Sequence, residues 1–171
     1  MLTRQGEEFR RVFSVLVDNE PGVLAWVVGL FSARGFNIET LNVARVSEAD
    51  NLSRINIVTR GTLAILAQVK AQLGRLIPVH MVLDLDDLGR HVERELALVK
   101  VLGVGDKRVE ALRIADLFRA RLVDSTTESF VFEMTGAPDK LNAFLDLMRP
   151  LGLSEVSRTG VAAIARGLQP I

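Results

Sequence analysis

The chain has no cysteine, no tyrosine, one tryptophan and no surplus of either charge across its 171 residues. Without cysteine there can be no disulfide, no thiolate metal site and no cysteine nucleophile, which suits a reducing compartment. Lys plus Arg and Asp plus Glu both number 21; up to Asp87 the split is 9 basic to 10 acidic, and beyond it 12 to 11. That balance removes the electrostatic case for nucleic acid or an anionic membrane. Aromatic residues are only 5% of the chain, and no strand-like segment interleaves them with basic residues as an RNA-binding sheet would. The first ten residues, MLTRQGEEFR, lack the apolar stretch of a signal peptide, and no hydrophobic run approaches the length that spans a bilayer. The expected location is the cytoplasm.

What is present is a globular composition, 49% hydrophobic and 25% charged, in a chain long enough for one domain or two small ones. The informative stretch is Asp18–Leu41, DNEPGVLAWVVGLFSARGFNIETL. A β-branched segment, Arg11–Val17, leads into it as a strand. Pro21 can open a helix, and Asn19 lies where a capping side chain would. Leu24, Val27, Val28 and Phe31 then recur with helical spacing, and Gly35 is the natural stop. Chemistry concentrates in the turn before this helix. Gly22 lets backbone approach a ligand, and the free N–H groups of a helix start favour a carboxylate or phosphate. Asn19 and Asn37 flank that point with amides, while Asp18 and Glu20 can meet an ammonium group. With Val23, Leu24 and Ile38 as apolar neighbours, the set suits a free aliphatic amino acid. A plain capped helix with a polar turn accounts for the same residues.

Taken in order, Met1–Glu8 is a polar, mobile leader, followed by a strand over Phe9–Val17 and a helix over Pro21–Arg34. Strands at Asn37–Val46 and Leu52–Thr59 flank the turn Ser47–Asn51. Thr62–Leu76 reads as a helix capped by Thr62, with Ile65, Leu66, Val69 and Leu73 turned inward; Val79–Leu85 is a fourth strand. Asp84–Arg90 is a solvated joint. The plan then repeats: a strand Glu93–Val101, a helix Asp106–Phe118 offering Val109, Leu112, Ile114 and Leu117 for burial, strands Arg121–Ser125 and Ser129–Thr135, a helix from Pro138 to Met148, and a strand Ser154–Thr159. The fold class is α+β, two tandem ferredoxin-like βαββαβ domains, each with two helices on one face of an antiparallel sheet and the other face left for a partner. The boundaries are 9–86 and 87–171, with Gly160–Ile171 a tail that folds back or docks on a partner.

Other constellations read as structural. Asp84, Asp86 and Asp87 lack the glycine and terminal glutamate of a calcium loop. His91, Glu93 and Glu95 alternate along a strand, where a polar face is the simpler account than a metal site. His80 stands alone as a rim residue, and Gly103-Val-Gly-Asp, half of a glycine-rich phosphate loop without its third glycine or a downstream Lys-Ser/Thr, reads as a strand-to-helix turn, with a nucleotide at that helix start the alternative. No pair of groups forms an active site, so an independent catalyst on this scaffold is disfavoured. Trp26 lies on the far side of its helix from Leu24 and Val28 and is expected to be covered by another subunit or the second domain.

The run N-E-P-G-V-L with G-L-F-S-A-R-G-F-N-I-E-T-L-N-V-A resembles the opening of an ACT domain and, more narrowly, the regulatory small subunit of acetolactate synthase. The likeness continues through Leu52-Ser-Arg-Ile, His91-Val-Glu-Arg-Glu-Leu, Phe118-Arg-Ala-Arg-Leu-Val-Asp and Glu155-Val-Ser-Arg-Thr-Gly-Val-Ala. The resemblance implies a chain with no catalytic centre or cofactor of its own. Such a chain activates a larger subunit that carries thiamine diphosphate, magnesium and FAD, and it makes that subunit sensitive to a branched-chain amino acid, most often valine. It further implies a homodimer through side-by-side ACT domains, with Asn19 and Gly22 binding the effector over the Pro21–Leu24 backbone and Asn37 reaching in from the other protomer. Trp26, where a polar or basic residue is expected, and the turn Arg60–Leu63, poor in acidic residues, depart from the family pattern. The rival reading is a stand-alone ACT-type sensor serving another client.

Overall fold

The computed structural model describes residues 7–167, so most of the leader Met1–Glu8 and the last four residues of the tail lie outside the described residues. The elements are β1 (Phe9–Asp18), α1 (Val23–Ala33), β2 (Ile38–Ser47), β3 (Leu52–Gly61), α2 (Leu63–Leu73) and β4 (Val79–Asp84), then β5 (His91–Leu102), α3 (Asp106–Phe118), β6 (Arg121–Ser125), β7 (Ser129–Gly136), α4 (Pro138–Gly152), β8 (Leu153–Arg158) and β9 (Ala162–Ala165). They form two compact units, residues 7–92 together with 161–167, and Glu93–Gly160. The second unit is thus inserted in the sequence between β4 and β9 of the first, a division different from the one expected at residue 87.

In the first unit the strand order is β2-β3-β1-β4, with β1 antiparallel to β3 from Phe9 opposite Gly61 to Asp18 opposite Leu52. Alternation along β1 sends Phe13, Val15 and Val17 to the helix side, where they form a core with Val23, Val27 and Phe31 of α1, Leu66, Val69 and Leu73 of α2, and Ile55 and Ile57 of β3. Helix α1 does not start at Pro21. Gly22 sits at the N-cap with φ of 89°, no side chain caps it, and Pro21 belongs to the turn. The left-handed step aims α1 so that Val23, Val27 and Phe31 are buried. Leu24 is left 41% exposed and Trp26 55% exposed. At the other end Phe36 N–H bonds to Phe31 C=O and Gly35 N–H to Ser32 C=O, with Gly35 left-handed. The Phe31 and Phe36 rings meet edge to face at 6.2 Å, completing a Schellman stop with its apolar contact. Thr62 caps α2 as expected, its side chain accepting Ile65 N–H, but Ile65 itself is exposed.

The opposite face of this sheet is not left bare. Val12, Val58 and Leu85 on that face form a second small core with Val161 and Ala163 of the C-terminal segment. Val161 N–H also bonds to Thr40 Oγ1 at 3.4 Å. The tail therefore folds back and packs on the chain's own first unit, while β9 takes β5 as its ladder partner. Its anchor makes the expected solvated joint partly a core element, because Leu85 is fully buried and Asp84 nearly so.

The second unit has the order β6-β7-β5-β8. Its core joins Val99 and Val101, Phe130, Phe132 and Met134, and Leu141, Phe144, Leu145 and Met148 of α4, the α4 face that the spacing predicts. Helix α3 corrects its prediction. It buries Ala111, Ile114 and Ala115, whereas Val109, Leu112 and Leu117 are exposed; the small alanines allow close approach, so the helix turns them inward. Helix α4 also continues beyond Met148 with Pro150 inside it, as far as Gly152.

Candidate functional site

The turn that opens α1 is built by long-range contacts. Asp18 N–H bonds to Pro78 C=O at 2.9 Å and Asn19 N–H to Asn51 C=O at 2.8 Å, so the β2–β3 hairpin and the start of β4 pin both sides of it. Asn19 does not cap α1. Its side-chain Oδ1 accepts Ser53 Oγ–H at 2.9 Å, and its Nδ2 lies 3.4 Å from Asn51 Oδ1. Asn51, itself left-handed with φ of 52°, returns a bond from its Nδ2 to Asn19 C=O, and Arg45 donates to the same Asn51 Oδ1. With Oδ1 occupied and Nδ2 directed at Asn51 Oδ1, the Asn19 NH2 group keeps one further N–H to donate.

That donor stands beside more donors. Gly22, with φ of 89°, places the chain so that Val23 N–H reaches Glu20 C=O only at 3.4 Å and the first helical bond is Trp26 N–H to Gly22 C=O. The N–H groups of Leu24 and Ala25 have no acceptor among the described residues. A helix start with open N–H groups beside an amide N–H has the chemistry of an anion cradle. Glu20, Pro21 and Gly22 are exposed, while Val23 is buried in the core beneath. Asp18 does not stand ready for an ammonium group, because its Oδ1 lies 2.6 Å from His80 Nε2. His80 is thereby placed on an acid, contrary to its reading as an isolated rim residue.

Asn37 and Ile38 are brought to a different place. Asn37 follows α1, exposed, with its C=O accepting Thr59 Oγ1–H at 2.5 Å. The 11 residues of α1 span about 16 Å at 1.5 Å per residue. Within one chain the anion cradle and Asn37 therefore lie at opposite ends of the helix and cannot touch one ligand. Strand β2 is an edge strand of ten residues, and Val43 and Val46 on it, like Leu24 and Trp26 on α1, are exposed.

Elsewhere the candidate sites resolve into structure. Glu95 is buried and held by two of the three guanidinium nitrogens of Arg158, Nε at 2.8 Å and Nη2 at 2.5 Å, rather than sharing a ligand set with His91. Among the described residues no group of three His, Cys, Asp or Glu side chains is placed to hold a metal. Gly105 before α3 has φ of 61° and no side chain caps that helix. Among the described residues no helix is long and apolar enough to cross a membrane. Arg45, Asn51 and Ser53, which orient Asn19, were not legible as site residues. Their only sequence signal is the asparagine at a hairpin turn, a position where left-handed backbone is common.

Comparison with known proteins agrees over both units. Residues 13–81 match the family model described as the AHAS small subunit-like ACT domain, and residues 94–167 match the one described as the small subunit of acetolactate synthase. The probable acetolactate synthase small subunit of Archaeoglobus fulgidus is 46% identical over 158 residues, 92% of this chain and 98% of that one. The acetolactate synthase isozyme 3 small subunit of Escherichia coli is 42% identical over 159 residues, 92% and 96% of the two chains. The crystal structure of the acetolactate synthase small subunit from Thermotoga maritima superposes with a TM-score of 0.84 at 36% identity, covering 94% of this chain and 99% of that one. With an ACT-type first unit, a matching second unit and relatives aligned almost end to end, the chain belongs to the acetolactate synthase small-subunit family.

Proposed function

We propose that this chain is the regulatory, non-catalytic subunit of a cytoplasmic acetolactate synthase. It activates a catalytic large subunit, which carries thiamine diphosphate, magnesium and FAD, and makes it subject to feedback inhibition by valine. The effector binds between the first units of two copies. Its carboxylate lies in the cradle of the Pro21–Leu24 backbone with the Asn19 NH2 group, and Asn37 and Ile38 come from the partner protomer. The observation that carries this reading is the separation of the two half-sites by the length of α1, which a two-fold pairing along β2 and α1 closes. The exposed Leu24 and Trp26 then fall within the paired surface. Valine acts only through a difference in affinity between two arrangements of the complex, since equal binding to both shifts nothing.

The test is calorimetric titration of the dimeric chain with valine, leucine and isoleucine beside the Asn37→Ala variant. Valine binding that falls at least tenfold in the variant, followed by valine-sensitive acetolactate synthesis on mixing with the large subunit, is the expected result. Binding of valine without any effect on that synthesis would favour a sensor with another client. Specificity among the three rests on single methylene groups, worth about 1–3 kcal/mol each.

A further inference from the structure

Away from the effector turn, the first unit holds an open cavity of about 460 Å³ against α2, with an apolar wall that includes Leu63 and Ala67 and a charged side formed by Arg11, Lys70, Asp84 and Asp87. Its volume lies within the range of about 300–1,000 Å³ usual for small-molecule sites. The charged groups are unequally satisfied. Asp87 is paired on both oxygens, Oδ1 with Arg11 Nη1 and Oδ2 with Lys70 Nζ, each at 3.3 Å. Asp86 has its Oδ2 on Val12 N–H at 3.0 Å. Asp84 differs. It is only 6% exposed, and its contacts fall on one oxygen: Oδ1 takes Asp86 N–H at 3.1 Å and stands 3.7 Å from Arg11 Nη1. Among the described residues Oδ2 has no protein donor. Oδ2 is not sealed in the core; on the wall of the cavity a carboxylate oxygen without a donor attracts a cation that can reach it. Burial pushes the Asp84 carboxyl above its ordinary value despite Arg11.

We propose that this cavity is a binding site for an aliphatic primary ammonium ion, whose N–H groups meet Asp84 Oδ2 while its carbon chain lies on Leu63 and Ala67. The ammonium group brings three donors to a position where the protein supplies none. Lys70, at the cavity's charged side, offers a carboxylate partner if the ligand is an amino acid rather than a simple amine. The site shares no residue with the effector turn and does not rest on the regulatory reading.

The experiment is amide-resolved NMR titration of the whole chain with 3-methylbutylamine, 3-methylbutanoate and leucine, repeated with Asp84→Asn and Lys70→Met. The expected result is that the amine shifts resonances of 63–71 and 84–87, that the acid does not, and that Asp84→Asn weakens the amine at least tenfold while its unfolding temperature is not lowered. Leucine tighter than the amine, reduced to the amine's affinity by Lys70→Met, identifies the amino acid form; equal affinity identifies the simple amine. Shifts at 19–25 report the effector turn separately. Equal shifts with amine and acid, or amine binding unchanged in Asp84→Asn, would overturn the proposal.

Discussion

Asp84 also makes a prediction that needs no ligand. Burial raises its carboxyl in the folded state, with the Asp87 and Asp86 charges adding to the rise and Arg11 and the Asp86 N–H opposing it. The folded protein therefore holds a proton that the unfolded chain has already released, so it binds more protons across the interval between the two values. Stability then falls as pH rises through that interval, and the cost is present in full above the folded value. Asp84→Asn is expected to unfold at the same or a higher temperature than the parent at neutral pH, with the difference shrinking on acidification. Paired thermal melts across that range check it, and a variant destabilised at neutral pH would show that the Arg11 attraction outweighs burial. At this scale the sequence was legible only in part. Asn19, Gly22 and Asn37 stood out because amides and a glycine at a helix start carry their chemistry locally. The partners that set the Asn19 amide, Asn51 and Ser53, come from another hairpin, and only the antiparallel register that places Asp18 opposite Leu52 brings them near.

Element ends give the sharpest contrasts, because the left-handed backbone at two of them is occupied by different residues. Helix α3 stops with Arg119 at φ of 58°, its N–H on Asp116 C=O and Ala120 N–H on Ala115 C=O, the same motif that ends α1 at Gly35. An exposed arginine pays the steric cost of that conformation, so Arg119→Gly is expected to stabilise the second unit by about 0.5–1 kcal/mol. Gly152, where α4 meets β8, has φ of 109°, and a Cβ there would lie 1.9 Å from Leu102 C=O. Backbone cannot yield to that overlap as a side-chain tip can. Gly152→Ala is expected to cost about 3 kcal/mol or more, at the upper end of point-mutant effects. Urea unfolding of the two variants beside the parent measures both, and equal midpoints for all three would refute both assignments. Helix α4 was legible because Leu141, Phe144, Leu145 and Met148 repeat with helical spacing. In α3 only Ile114 of the expected large residues is buried, and Val109, Leu112 and Leu117 face outward. A periodicity count weights Val109 and Leu117 above the alanines that actually meet the core.

For the whole molecule, the chain order and the structural units are not the same. The two βαββαβ plans were readable from alternating strand patterns and helix signals, yet nothing local in the last segment marks it as part of the first unit. Its apolar residues, Val161 and Ala163, acquire meaning only opposite Val12, Val58 and Leu85, which lie far from them in sequence. Ending the chain after Gly160 would uncover those three residues, all now at most 1% exposed. Losing a buried valine and exposing part of three more apolar side chains costs on the order of 3–5 kcal/mol. The loss of core falls on the first unit, because the core of the second uses no residue beyond Leu153, while β5 loses its ladder partner β9. Amide hydrogen exchange should therefore show lost protection along β1 and β3 in the shortened chain and along the part of β5 that pairs β9, with β6 and β7 retaining theirs. Equal loss in both units would mean that they unfold as one cooperative body. Unchanged protection in β1 and β3 would mean that the returning strand lies on the sheet without supporting it. Because Val161 also reaches Thr40, three residues after Asn37, the same truncation is expected to weaken the valine binding proposed above, through the start of β2, even where the turn at Asn19 remains folded.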